Sequence, residues 1–289
     1  MVRVLLLLLA TSALIRFPVA DSQTILHASR SSASDLEVGG DLAGFPAGQA
    51  RFIRYDDLLR LPQETFTVSD DDNLPKSTEI SGVNLETLAH LTGHVTSDLL
   101  VVAICDDRYR TNYPYDYLEA HHPLLVLRIN GMPHDQWSQL KQVANPGPYL
   151  ISHPFFKPAF KVLSHQDEPQ IPYGVVRLEF RRESEVFARI RPRGDWPANS
   201  PVEQGYAIAR QDCLRCHNVP SEGATKSGRS WAKLAQDAER DPQRFRQIIH
   251  NPVAVDAKAT MPAHADYDDA TLNALTTYFK TFRNVRGDR

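Results

Sequence analysis

Cys213-Leu214-Arg215-Cys216-His217 constrains this chain more tightly than any other stretch of it. Cys-x-x-Cys-His is the spacing of c-type haem attachment. On one turn of helix the two thiols lie on the same side, each placed to form a thioether with a vinyl group on a porphyrin edge. The next residue, His217, then offers a ring nitrogen to the iron as proximal ligand. Two other chemistries use paired cysteines, and the surroundings fit neither. A structural zinc site wants four ligands, and no second Cys-x-x-Cys exists to complete one. A redox-active dithiol of the thioredoxin kind needs a strand before the motif, whereas the residues before Cys213 read as helix.

The sixth iron ligand has few candidates. Beyond the N-terminal apolar stretch the only methionines are Met132 and Met261, and Met261 alone follows the motif. It stands in Ala259-Thr260-Met261-Pro262-Ala263-His264, where Pro262 fixes the neighbouring backbone. Thioether ligation opposite histidine raises the reduction potential. His250 and His264 are rival ligands from the same segment. A helix from about Val202 delivers Cys213, with Gly205 and Ala209 one turn apart on a small-residue stripe. Its expected partner is Asp268 to Phe282, where Leu272, Leu275, Phe279 and Phe282 recur at helical spacing and Asp268 or Asp269 caps the start.

The chain has 289 residues, 42% of them apolar, enough for two domains. Its formal charge of −3 and lack of a Lys/Arg cluster argue against nucleic-acid binding. Residues 1–20 read as a signal peptide: Arg3, an apolar run from Val4 to Ile15, and a small residue at Ala20. That run is too short for a stable membrane span, so a cleaved leader and a periplasmic or otherwise exported protein are expected. Three cysteines permit no disulfide framework once two hold haem, which leaves Cys105 over. Residues 191–201, from Arg191 to Pro201, contain three prolines and read as an interdomain linker that lets the second domain swing. From Ser200 onward thirteen Lys/Arg face eleven Asp/Glu, so docking there depends on local patches rather than on net charge.

Residues 35–190 read as strand-dominated. Strands are expected at Leu99 to Ile104, Leu124 to Ile129 and Val175 to Phe180, with a turn at Asn130-Gly131. Short helices are expected at Tyr55 to Leu61 and Asn84 to Leu91. Asp70-Asp71-Asp72 lacks the glycine and distal glutamate of a calcium loop and reads as a solvated turn. His121-His122 sits at the mouth of a strand, pointing to opposite faces. His90 and His94 are four apart near a helix end, with no third ligand in reach. Cys105 ends an apolar strand as a small buried hydrophobe, its alternative being a thiolate metal ligand.

Two family resemblances follow from these residues. Ser200 to Arg283 resembles a class I mono-haem cytochrome c domain, through Gly205-x-x-x-Ala209-x-x-x-Cys213, the Cys213–His217 motif, Met261-Pro262 and the terminal Tyr278-Phe279. The resemblance implies an all-α fold over 202–285, one covalent haem c, His217/Met261 ligation and electron transfer with a redox partner protein. Leu36 to Phe180 resembles the sulfite-oxidase-like, molybdopterin-binding fold. The matching fragments are Leu36-Glu37-Val38-Gly39-Gly40, Ser81-Gly82-Val83-Asn84-Leu85, Val101 to Tyr109, Arg128 to Pro133 and Gly147-Pro148-Tyr149-Leu150-Ile151. It implies an α+β, β-rich domain. The family's molybdenum-binding cysteine has no counterpart in Thr65 to Asp70, so molybdopterin is not expected and the domain reads as a docking scaffold. The alternative is a periplasmic molybdopterin-dependent oxidoreductase with Cys105 on the metal and the haem as electron acceptor.

Overall fold

The computed structural model describes residues 25–93 and 95–282. The expected leader and His94 lie outside the described residues. The first half is built on a nine-stranded mixed sheet. Its strands are β1 (Leu36–Gly40), β2 (Arg51–Ile53), β3 (Glu64–Val68), β4 (Thr78–Asn84), β5 (Leu99–Cys105), β6 (Arg110–Pro114), β7 (Leu124–Ile129) and β8 (Tyr149–Ser152). A small ladder of β9 (Lys161–Val162) and β10 (His165–Gln166) precedes the long closing strand β11 (Tyr173–Arg182). β11 is the hub. One edge pairs antiparallel with β5, while the other takes β8 at Tyr173 and Val175 and then β1, in parallel, from Arg177 to Phe180.

Five short helices decorate this sheet: α1 (Tyr55–Arg60), α2 (Leu85–Thr92), α3 (Tyr115–His121), α4 (His134–Lys141) and α5 (Glu183–Ala188). Their ends follow local chemistry. Asn84 accepts the Glu86 N–H at 2.8 Å to start α2, and Gly93 at φ 79° closes it in the left-handed conformation. Asn130 and Gly131 both have positive φ, the signature of the tight turn expected after β7.

Two local expectations fail. Asp71 is buried, accepting from the Ser152 hydroxyl and the Asn73 N–H, so the acidic run is an anchor with exposed flanks rather than a solvated loop. His121 closes α3 and His122 is its left-handed cap, so neither lies on a strand. His121 is buried against Asp167 at 3.0 Å while His122 is exposed, because the helix end turns one ring inward and the cap turns the next outward.

The second half is an all-α, cytochrome-type cluster: α6 (Pro201–Gln211), α7 (Trp231–Arg240), α8 (Pro242–His250), α9 (Pro252–Val255) and α10 (Asp269–Lys280), with a two-residue ladder of β12 (Asn218–Val219) and β13 (Glu222–Gly223). Ser200 caps α6 through Glu203 N–H, and Asp268 caps α10 through Thr271 N–H. The small-residue stripe does what its spacing predicts. α6 meets α10 at Gly205, where a Cβ would stand 2.2 Å from the Ala274 carbonyl oxygen.

The strand β5 joins the two halves. Leu99, Val101, Ala103 and Cys105 face the first domain's core, while Leu100 and Val102 belong to the apolar cluster of the helical domain, with Ile104 packed at its margin. Its unbroken apolar run is therefore that of a strand covered on both faces. Polar contacts reinforce the seam. Glu222 on β13 accepts from Arg110 at 3.0 Å and Arg181 at 2.6 Å, both from the sheet domain. In the proline-rich segment Pro192 is buried, while residues 193–199 are exposed and the Trp196 indole donates to the Arg193 carbonyl at 2.8 Å within the segment itself. A swinging linker is thus not what folds here, because the apolar surfaces on either side of it cover each other.

Candidate haem-attachment site

α6 ends at Gln211, and the chain tightens into a 3-10 turn over Cys213–Arg215. The N–H groups of Cys216 and His217 both donate to the Cys213 carbonyl, at 3.2 and 3.0 Å. This turn brings Cys213, Cys216 and His217 to one cleft. Its walls are apolar: Leu234 from α7, Phe245 and Ile249 from α8, and Phe279 from α10. Burial raises both thiols above their ordinary values, so they stand as neutral thiols.

His217 is oriented by a backbone group. Its Nδ1–H donates to the Arg229 carbonyl at 2.7 Å, leaving Nε2 as the nitrogen free to ligate. Burial lowers its pKa, opposed by that hydrogen bond, which favours the neutral imidazole a metal needs. Behind it the β12–β13 hairpin presses close. Gly223 has φ 92°, and a Cβ there would lie 2.4 Å from the His217 carbonyl oxygen, so only glycine fits.

Met261 and Pro262 line the same cleft, with Met261 half-buried. The four residues singled out from the sequence therefore share one cavity. Of the rival ligands, His264 also lines it, its ring packed on Tyr267 with centroids 4.7 Å apart and its N–H donating to the Ile249 carbonyl. His250 is exposed at the end of α8 and lines a different groove. Met132 packs against the first domain's smaller core. Cys105 is 2% exposed in the main core of that domain, and burial pushes its thiol up to about 12. His90 is exposed on α2.

Sequence reasoning missed what the first domain brings here. Tyr109, in the turn between β5 and β6, lines the cleft beside the cysteines. The turn is clamped on the motif: Lys226 reaches Asp107 at 2.5 Å and stands 5.2 Å from the centre of the Tyr109 ring. A second polar knot surrounds Asp212, which accepts from the Tyr267 hydroxyl at 2.9 Å and lies 3.2 Å from Arg215 and 3.3 Å from His165. The only local signal for it was Arg215 inside the motif. Tyr109 and His165 come from distant segments whose pairing no local pattern encodes.

Fold and site together define a two-domain protein, with a cytochrome-type helical domain carrying a Cys-x-x-Cys-His motif fused to a β-rich α+β domain. Residues 200–279 match the family described as cytochrome c oxidase, cbb3-type, subunit III. The crystal structure of the sulfane dehydrogenase SoxCD from Paracoccus pantotrophus is similar at 16% identity and a TM-score of 0.34, covering 53% of this chain and 40% of that one. No curated protein matches the chain. Among the described residues no helix is long and apolar enough to cross a membrane.

Proposed function

We propose that this chain is an exported c-type cytochrome carrying single electrons, in which Cys213 and Cys216 would join one haem c and His217 and Met261 would ligate its iron. The observation that carries this reading is the convergence of two thiols, a thioether and an imidazole already oriented through Nδ1 on one apolar cleft. When bound, haem c supplies a one-electron Fe(III)/Fe(II) couple. The chain's own residues do the rest. Arg229 fixes the His217 ring through its carbonyl, Phe245, Ile249 and Phe279 exclude water, and the rigid turn at Cys213–Arg215 sets the attachment points. Export agrees with covalent haem attachment, which takes place outside the cytoplasm in bacteria.

In this reading the sheet domain is a cofactor-free scaffold and dock for a redox partner protein. The alternative, a molybdopterin-dependent oxidoreductase, would need Cys105 as a thiolate on the metal. A ligating thiol has to be deprotonated, and the apolar surroundings of Cys105 oppose that. The test is the full chain made in a host that installs c-type haem with molybdenum supplied. Intact mass, metal quantification and a reduced-minus-oxidised spectrum are then read together. One covalent haem and one iron per chain support the proposal, and a colourless product with no added mass overturns it. One molybdenum per iron would replace the scaffold reading with the enzyme.

A further inference from the structure

The proline-rich segment has a charged face. Arg189, Arg191 and Arg193 all line one open groove of about 1000 Å³ at the seam between the two domains. None of the three pairs with an acidic side chain among the described residues, whereas their neighbours Arg181, Arg182 and Arg210 all do. The groove's one lining carboxylate, Glu222, is already bracketed by Arg110 and Arg181. Among the described residues its positive charge is therefore uncompensated.

Two of the guanidinium groups are also positioned. Arg191 stands 5.5 Å from the centre of the Tyr206 ring and Arg193 5.9 Å from that of Phe282. Stacking on aromatic faces removes much of the rotamer freedom that makes surface arginines poor binders. The floor, with Trp231 and Phe282, is apolar. An inorganic anion would leave most of so large a groove empty, while a length of polypeptide fills it. The chain's own continuation is no counter-charge, since Arg283, Arg286 and Arg289 follow Phe282 against a single Asp288.

We propose that this groove docks an acidic segment of a partner protein, its carboxylates paired with Arg189, Arg191 and Arg193. Complementary charge of this kind chiefly sets the encounter rate and the choice of partner. The proposal is independent of whether the neighbouring cleft carries haem.

The test uses the full chain and a fluorescein-labelled octaglutamate peptide, with binding followed by anisotropy. Replacing all three residues (Arg189→Gln, Arg191→Gln, Arg193→Gln) is expected to weaken binding about tenfold or more, since three ion pairs together are worth somewhat over 1.4 kcal/mol. Raising salt from about 0.02 M to about 0.3 M should weaken the native chain similarly and the triple variant little. A control that neutralises the exposed Lys76, Lys141 and Lys258 changes net charge by the same amount and should leave binding within about twofold. Equal loss in the control would overturn the proposal. So would displacement of the peptide by equimolar inorganic phosphate, which marks a small-anion site. Tighter binding of a single-stranded oligonucleotide than of the peptide would overturn it too.

Discussion

Gly205→Ala puts two physical effects in direct opposition at the crossing of α6 and α10. In an isolated helix the change is favourable by about 0.8–1.0 kcal/mol, because alanine loses less backbone entropy than glycine. At this position the new Cβ would stand 2.2 Å from the Ala274 carbonyl oxygen and 2.7 Å from the Tyr278 Cβ. Neither neighbour is the flexible end of a side chain, so the helices must separate by roughly 1 Å to reach an ordinary contact. Such overpacking costs about 1–3 kcal/mol or more. Here it also loosens Phe279, which lines the cysteine-bearing cleft from α10. A contact this short with backbone puts the cost at the upper end of that range, so the clash wins, with a net loss of about 1–2 kcal/mol. Thermal unfolding followed by circular dichroism should show a midpoint lower by roughly 2–8 °C for a chain of this size. An unchanged or raised midpoint in Gly205→Ala would show that the close crossing does not hold the helical domain together.

Other consequences are as direct. Met261→Leu should abolish the weak far-red absorption band of the ferric haem-loaded chain and lower its reduction potential, while His264→Ala retains both; the opposite pattern would transfer ligation to His264. Glu222→Gln leaves Arg110, deeply buried and deprived of its main counter-charge, and should destabilise the fold by about 3–5 kcal/mol in denaturant titration; a loss below about 1 kcal/mol would show the seam to be hydrated. Burial pushes His134 down to about 4 and His153 down to about 3. Both rings stay neutral in the fold while the unfolded chain takes up protons below about 6.5, so stability should fall as pH drops from about 6.5 to 4. His134→Gln should flatten that dependence, and an unaltered pH profile would place the acid sensitivity elsewhere.

What the sequence made legible was what local chemistry decides. The cap at Asp268 and the Asn130-Gly131 turn each rest on one or two residues and emerge where expected. The Cys-x-x-Cys-His motif and the small-residue stripe were readable because each encodes a spacing. The rest depended on distant pairing. The run from Leu99 to Cys105 announced a strand, but only the observed packing shows that Leu100 and Val102 belong to the other domain. His121 lies on a helix rather than at the mouth of a strand, because Tyr115 to Ala120 leads into a helix end whose last residue turns inward. Tyr109 reaches the cleft through a hairpin turn more than a hundred residues upstream of the cysteines. The prolines in Arg191 to Pro201 correctly excluded regular structure, yet irregular backbone is not free backbone when what surrounds it is glued together.

That gluing bears on anyone who would study the halves apart. The proline-rich stretch looks like the natural place to cut, but scissors there would unroof Leu100, Val102 and Ile104 on one fragment and strip the matching cover from the other. Each piece would emerge with a sticky, water-averse scar. The helical module made alone is then a poor proxy for the whole: prone to clumping, and lacking the tyrosine wall its neighbour lends.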